Sequence, residues 1–91
     1  MGIEVVSFRK FGKNTLRGFV TLRLTETGLE IREATLHEKE DKKWIGLPAR
    51  RYEDNEGNQK WAYLIKFFDK ARYAQFQQQA LKALEGYLGS E

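Results

Sequence analysis

From Leu16 to Thr25 the chain alternates without a break: Leu16, Gly18, Val20, Leu22 and Leu24 share one parity, and Arg17, Phe19, Thr21, Arg23 and Thr25 the other. Successive side chains of an extended chain point to opposite sides, so this period of two predicts a strand with its aliphatic face toward a core. Ile3, Val5 and Phe8 lie in a β-rich segment upstream, and Phe11-Gly12-Lys13-Asn14 supplies turn residues, which places a first strand before it. After Glu26-Thr27-Gly28 the parity slips, since Leu29 and Ile31 fall on one side and Ala34 and Leu36 on the other. A β-bulge near Arg32-Glu33 reconciles them. The acidic Glu38-Lys39-Glu40-Asp41 makes the next turn, and Lys43 to Pro48 reads as a fourth strand that proline ends or places at a sheet edge. Beyond the turn Glu53-Asp54-Asn55-Glu56-Gly57-Asn58, Gln59 to Phe67 reads as a fifth strand. In it Trp61, Tyr63, Ile65 and Phe67 share one side, and Lys60, Ala62, Leu64 and Lys66 the other.

The period then changes. Asp69 is a favourable N-cap, no glycine or proline falls between Lys70 and Glu85, and Tyr73, Phe76, Ala80, Leu84 and Tyr87 recur at helical spacing. Leu81 and Leu88 widen this stripe toward a neighbouring surface, Gln75, Gln77, Gln78 and Gln79 solvate the rest, and Gly89 is placed to end the helix. The pattern predicts one α+β domain over residues 1–91: a five-stranded antiparallel meander within 3–67, followed by one C-terminal helix over about 69–88 packed on it. The excess of apolar side chains over one helix face predicts a homodimer.

With 91 residues, 41% of them hydrophobic, the chain is long enough for a single core and too short for a deep enclosed substrate cavity. It has no cysteine, hence neither disulfides nor thiolate metal sites, and no apolar stretch of membrane-spanning length. Glu4 and Arg9 interrupt the run that a signal peptide needs, so the expected place is the cytoplasm, away from membranes. Chemistry is sparse. His37 is the only histidine, Ser7 and Ser90 are the only serines, the glycines never cluster into a phosphate loop, and the paired carboxylates (Glu38 with Glu40, Glu53 with Asp54) fall in turns open to solvent. The expectation is a binding module: no enzyme, no catalytic residue, no metal, no cofactor and no small-molecule substrate.

The net charge of +3 is small, but it is segregated. Residues 1–25 carry +4, 26–41 carry −4, 42–51 carry +4, 52–58 carry −3 and 59–72 carry +3. Blocks of this kind along a meander can set positive strands side by side while acids occupy the turns and the far face. The densest constellation is Lys43-Trp44-Ile45-Gly46-Leu47-Pro48-Ala49-Arg50-Arg51-Tyr52, followed after the acidic turn by Lys60-Trp61-Ala62-Tyr63-Leu64-Ile65-Lys66-Phe67. Cations bind phosphates and flat aromatic rings stack on bases, so their interleaving points to single-stranded nucleic acid. The same residues also suit an ordinary hairpin with an aromatic face.

Ile45-Gly46-Leu47-Pro48-Ala49-Arg50-Arg51 and Gly57-Asn58-Gln59-Lys60-Trp61-Ala62 resemble segments of the stage V sporulation protein G family, the small septation regulators of bacteria. Leu16 to Leu24 and Gly28 to Leu36 fit the two preceding strands of that family, so the resemblance runs along nearly the whole chain. The chain departs from it at Tyr63-Leu64, where members tend to have a His-Pro pair, and in a helix rich in glutamine and poor in cations. The plan of strands followed by a helix is also similar to that of the Pur-alpha and positive-cofactor-four single-strand binders. These resemblances imply a bacterial or phage-like nucleic-acid-binding dimer, with duplex DNA as the nearest variant target.

The expected partner is therefore DNA or RNA, bound single-stranded with little sequence specificity, in a regulatory or accessory role. Arg50 and Arg51 are expected at the mouth of the last hairpin to contact phosphates, with Lys43, Lys60, Arg17 and Arg23 assisting and Trp44, Tyr52, Trp61 and Phe19 offering stacking surfaces. A small protein-interaction domain, with the charges serving only solubility, is the alternative.

Overall fold

The computed structural model describes residues 2–89; Ser90 lies outside them. Six strands precede one helix: β1 (Ile3–Lys13), β2 (Leu16–Leu24), β3 (Leu29–Lys39), β4 (Lys42–Gly46), β5 (Ala49–Glu53), β6 (Gln59–Tyr63) and α1 (Lys70–Gly89). The first four form an antiparallel sheet in chain order, while β5 and β6 pair only with each other. The class is α+β, with a C-terminal helix on an antiparallel meander. The single five-stranded sheet is corrected to four strands plus two.

Pro48 accounts for that correction. With no N–H to donate, it cannot extend the β4 ladder, and β4 ends at Gly46 instead of continuing to Pro48. The chain leaves the sheet and folds back on itself, placing Arg50, Arg51 and Tyr52 inside a strand and not at a hairpin mouth. The fifth predicted strand is likewise cut short at Tyr63. Ile65 and Phe67 leave extended pairing and pack against the core.

The turns also shift. Lys13 pairs with Leu16, so the first turn is Asn14-Thr15, with Phe11 to Lys13 still in the strand; Lys39 pairs with Lys42, leaving only Glu40-Asp41 in the third. Asn14 takes the left-handed conformation at φ 57°, which asparagine tolerates better than most residues.

The bulge falls where the parity slip requires it. Val20 pairs with Ala34 and Leu22 with Ile31, so Thr21 faces both Arg32 and Glu33, and Glu33 sits at φ 60°. That extra residue returns Ile31 and Ala34 to the same face, and both are buried. On this face Val20, Leu22, Ile31, Ala34, Leu36 and Ile45 meet Phe76, Ala80 and Leu84 of the helix. Gly18 belongs to the inner row because Phe8 lies across it: a Cβ there would stand 2.4 Å from Phe8 Cζ and 2.8 Å from the Arg9 carbonyl oxygen.

Asp69 caps α1, its Oδ1 accepting from the Ala71 and Arg72 amides at 2.9 and 3.3 Å. One glutamine expected merely to solvate the helix holds the sheet instead. Gln77 Oε1 accepts from the Ile45 N–H and Gln77 Nε2 donates to the Ile45 carbonyl, both at 2.8 Å, so a side-chain amide occupies the free edge of β4 as a neighbouring strand would.

Candidate nucleic-acid interface

The β5–β6 arm is built around Asp54, whose Oδ1 accepts from the Glu56 and Asn58 amides at 2.9 Å each, with Gly57 at φ 83° closing the turn. The Asn58 amide above all, with the Glu56 amide and Lys60, holds the Asp54 carboxyl below the usual carboxylate range. The arm projects. The Cα radius of gyration is 14.1 Å, against about 12 Å for a compact domain of this length.

Register divides the arm into two faces. Arg51 pairs with Trp61 and Ala49 with Tyr63, which puts Arg51, Trp61 and Tyr63 on one side; Tyr52 pairs with Lys60 and Arg50 with Ala62, which puts Arg50, Tyr52 and Lys60 on the other. The adjacent arginines therefore serve different surfaces. Arg51 Cζ lies 5.8 Å from the Trp61 ring centroid, and Trp61 and Tyr63 are 67% and 65% exposed. Among the described residues neither arginine's guanidinium is held by a carboxylate, although Glu53 shares the Arg51 face by register; Asp54 takes Lys60 at 3.4 Å.

The four-stranded sheet treats its cations differently. On its outer face Arg17 reaches Glu38 at 3.7 Å, Arg23 reaches Glu30 at 2.8 Å, Arg32 shares Glu30 at 2.7 Å, and Arg9 meets Glu33 at 3.6 Å. The hydrogen bond from Arg23, then that from Arg32, holds the Glu30 carboxyl below its ordinary range. The acids expected at turns and on the far face thus include Glu30, Glu33 and Glu38, which stand on β3 beside the arginines and neutralise them. Arg17 and Arg23, read from the sequence as phosphate contacts, are occupied. Phe19 is half-buried beneath the Arg9 guanidinium, 4.8 Å from its centroid, and beside Phe11. Lys43 lies opposite Glu38 on β4, in the four-stranded sheet.

Trp44 and Ile45 separate as alternation requires. Ile45 is fully buried; Trp44 faces outward and stacks on His37 at 5.3 Å with 8° between planes. Thr15 and Thr35 place hydroxyls 3.0 and 2.9 Å from His37 Nδ1 and Nε2, and burial pushes the imidazole pKa down. Gly46 leaves room for this arrangement, since a Cβ there would lie 2.4 Å from Thr35 Oγ1 and 3.3 Å from His37 Nε2.

Between this edge of the sheet and the segment after β6 runs an open groove of about 470 Å³, with His37 and Trp44 on one side and Tyr63, Lys66, Phe67 and Tyr73 on the other. Tyr63 belongs both to the groove and to the Arg51–Trp61 face of the arm. The structure thus brings together Arg51, Trp61 and, through Tyr63, Trp44; it sets Arg50, Tyr52 and Lys60 on the opposite face and leaves Arg17, Arg23, Phe19 and Lys43 elsewhere. Tyr63, Lys66, Tyr73 and His37 escaped the sequence reading of the site. Tyr63 and Lys66 carried a signal, as parts of the run of alternating cations and aromatics from Lys60 to Phe67; His37 and Tyr73 carried none.

Of the helix side chains in excess of the core-facing stripe, Leu81 packs against the core, whereas Tyr73 and Leu88 remain exposed at 42% and 37%. The most exposed large apolar side chain is Phe68, at 98%, with Leu64 nearby in sequence at 68%. No helix among the described residues is long and apolar enough to cross a membrane, and no cluster of three potential metal-ligating side chains occurs among them. No protein-family model, curated protein or solved structure matches the chain.

Proposed function

We propose that this protein binds single-stranded DNA or RNA with little sequence preference, without catalysing a reaction, along the Arg51–Trp61–Tyr63 face of the arm. The observation that carries this reading is the exposed Arg51–Trp61 pair: a cation with no carboxylate partner among the described residues, set over an uncovered indole on a projecting hairpin. A phosphate meets the guanidinium while a base stacks on the ring, and neither contact reads base edges. Arg50 and Tyr52 on the opposite face are accessory contacts to the backbone of the same strand, while Lys60 beside them is engaged by Asp54. Fluorescence anisotropy with labelled single strands and duplexes across a salt series tests it. Binding that prefers single strands and weakens as salt rises is expected; absence of binding at low salt overturns the reading.

Leu64 and Phe68 favour a second reading, a protein-interaction domain whose partner is another copy of this chain, because exposed apolar side chains beside a hairpin suit a dry contact better than a phosphate backbone. Sedimentation separates the two. A dimer that Phe68→Ser dissociates, in a protein without affinity for nucleic acid, supports this second reading.

A further inference from the structure

We infer that the groove between β4 and the β6–α1 connection holds one nucleotide unit of the bound strand, its base against the Trp44 and Tyr63 rings and its phosphate at Lys66. The inference rests on the nucleic-acid reading above and assigns that site a second, concave part.

The groove's volume of about 470 Å³ lies within the roughly 300–1,000 Å³ typical of small-ligand sites. Its lining is aromatic with a single formal charge: Lys66 has no carboxylate partner among the described residues, and no acidic side chain borders the space. An aromatic wall with one free cation matches a base joined to a phosphate. It suits neither an acidic peptide, which needs several cations, nor a purely apolar ligand.

Trp44 is already set for this work. Stacking on His37 fixes the indole plane, and the Thr15 and Thr35 hydroxyls at both imidazole nitrogens fix His37 in turn. A ring ordered before binding loses little further rotamer freedom when a base arrives. Besides Lys66 and His37, the wall's polar side-chain groups include the Tyr63 and Tyr73 hydroxyls, and its backbone adds little. Ile45, which borders the groove, has both backbone polar groups engaged by Gln77. Stacking without base-edge hydrogen bonds accepts any base. Continuity supplies the path, because Tyr63 joins the groove to the Arg51–Trp61 face, so one strand can lie on the arm and turn a nucleotide inward.

The other clefts fit less well. One of about 140 Å³ beside Ile3, Leu24 and Phe76 is small for a nucleotide, and one of about 380 Å³ beside Leu29 and Ile65 also borders Lys66 but has Phe67 as its single aromatic ring.

The chain contains two tryptophans, so Trp61→Phe leaves Trp44 as the only indole and retains an aromatic ring on the arm. Its emission is followed while an oligothymidylate or oligouridylate of about 16 nucleotides is added, and affinities are measured for Trp44→Ala and Lys66→Ala in the otherwise native chain. We expect quenching of Trp44 on saturation, an affinity loss of about tenfold for Trp44→Ala with the salt slope unchanged, and a slope smaller by about 0.7 for Lys66→Ala. Comparing the two oligomers assigns the strand as DNA or RNA. Full binding with unchanged Trp44 emission, and wild-type affinity and slope in Lys66→Ala, overturns the groove and leaves the arm reading standing. No binding by the native chain overturns both.

Discussion

Arg51 and Trp61 face each other across the β5–β6 ladder, whereas Arg50 stands opposite Ala62, with no ring beneath it. Adjacent residues of identical chemistry should therefore differ in effect. Arg51→Ala is expected to weaken single-strand binding for all sequences alike and to reduce the salt slope by about 0.7, while Arg50→Ala costs less and Trp61→Ala costs about tenfold in affinity. Equal losses for the two arginines, measured by anisotropy on variants with unchanged folding, would show that the arm does not bind by one face. His37 makes a separate prediction. Burial lowers its pKa in the folded chain, so on acidification the unfolded chain takes up the proton first. Its contribution to stability is full above about pH 6.5 and declines as pH falls below that value, until the folded imidazole is protonated too. Thermal melts at about pH 7.5 and 5.5 should differ less for His37→Gln than for the native chain; identical differences would remove His37 as the source. Asp54 and Glu30, whose folded pKa values are depressed, act in another window: their stabilisation is present above about pH 4 and is lost as pH falls through the lower folded values.

At the scale of elements, much of the architecture is legible from local rules. The alternation over residues 18–24, the bulge at Arg32-Glu33 and the Asp69 cap each follow from neighbours within a few residues, and each is where the pattern puts it; Leu16 drops out of the alternation, because the register shifts before Gly18 and pairs Leu16 with His37. What local pattern misses is contact between elements. Gln77 has the composition of a solvated helix face and the role of a strand edge, because its position relative to Ile45 depends on how α1 lies on the sheet. Gln77→Ala removes two hydrogen bonds and leaves partly buried backbone groups unpaired, so a loss of about 1–3 kcal/mol is expected in urea unfolding. A change within about 0.5 kcal/mol would show that the edge is satisfied without it. Gly18→Ala is expected to cost about 1–3 kcal/mol as well, since the new methyl meets the Phe8 ring and the Arg9 backbone, and the backbone cannot swing aside as a free side chain can.

As a whole, the molecule is a sheet closed on one side by a helix, with an arm that shares little of that core. A two-stranded hairpin alone is marginal in water, so backbone amides of β5 and β6 should exchange with deuterium faster than those of β2 and β3 and should slow when a single strand binds. Equal protection in the free protein would contradict an independent arm. Composition and periodicity were enough to determine the α+β class, the meander through β4, the terminal helix and the presence of a basic, aromatic hairpin, because each depends on residue type and local spacing. Tertiary structure decided the rest. It took β5 and β6 out of the sheet, set Glu30, Glu33 and Glu38 among the arginines of the outer face, and brought His37, Trp44, Tyr63, Lys66 and Tyr73 to one groove. Periodicity states which side of a strand a residue occupies, but it does not name the neighbour across the ladder or across the core; the choice between a free and a neutralised cation is made there.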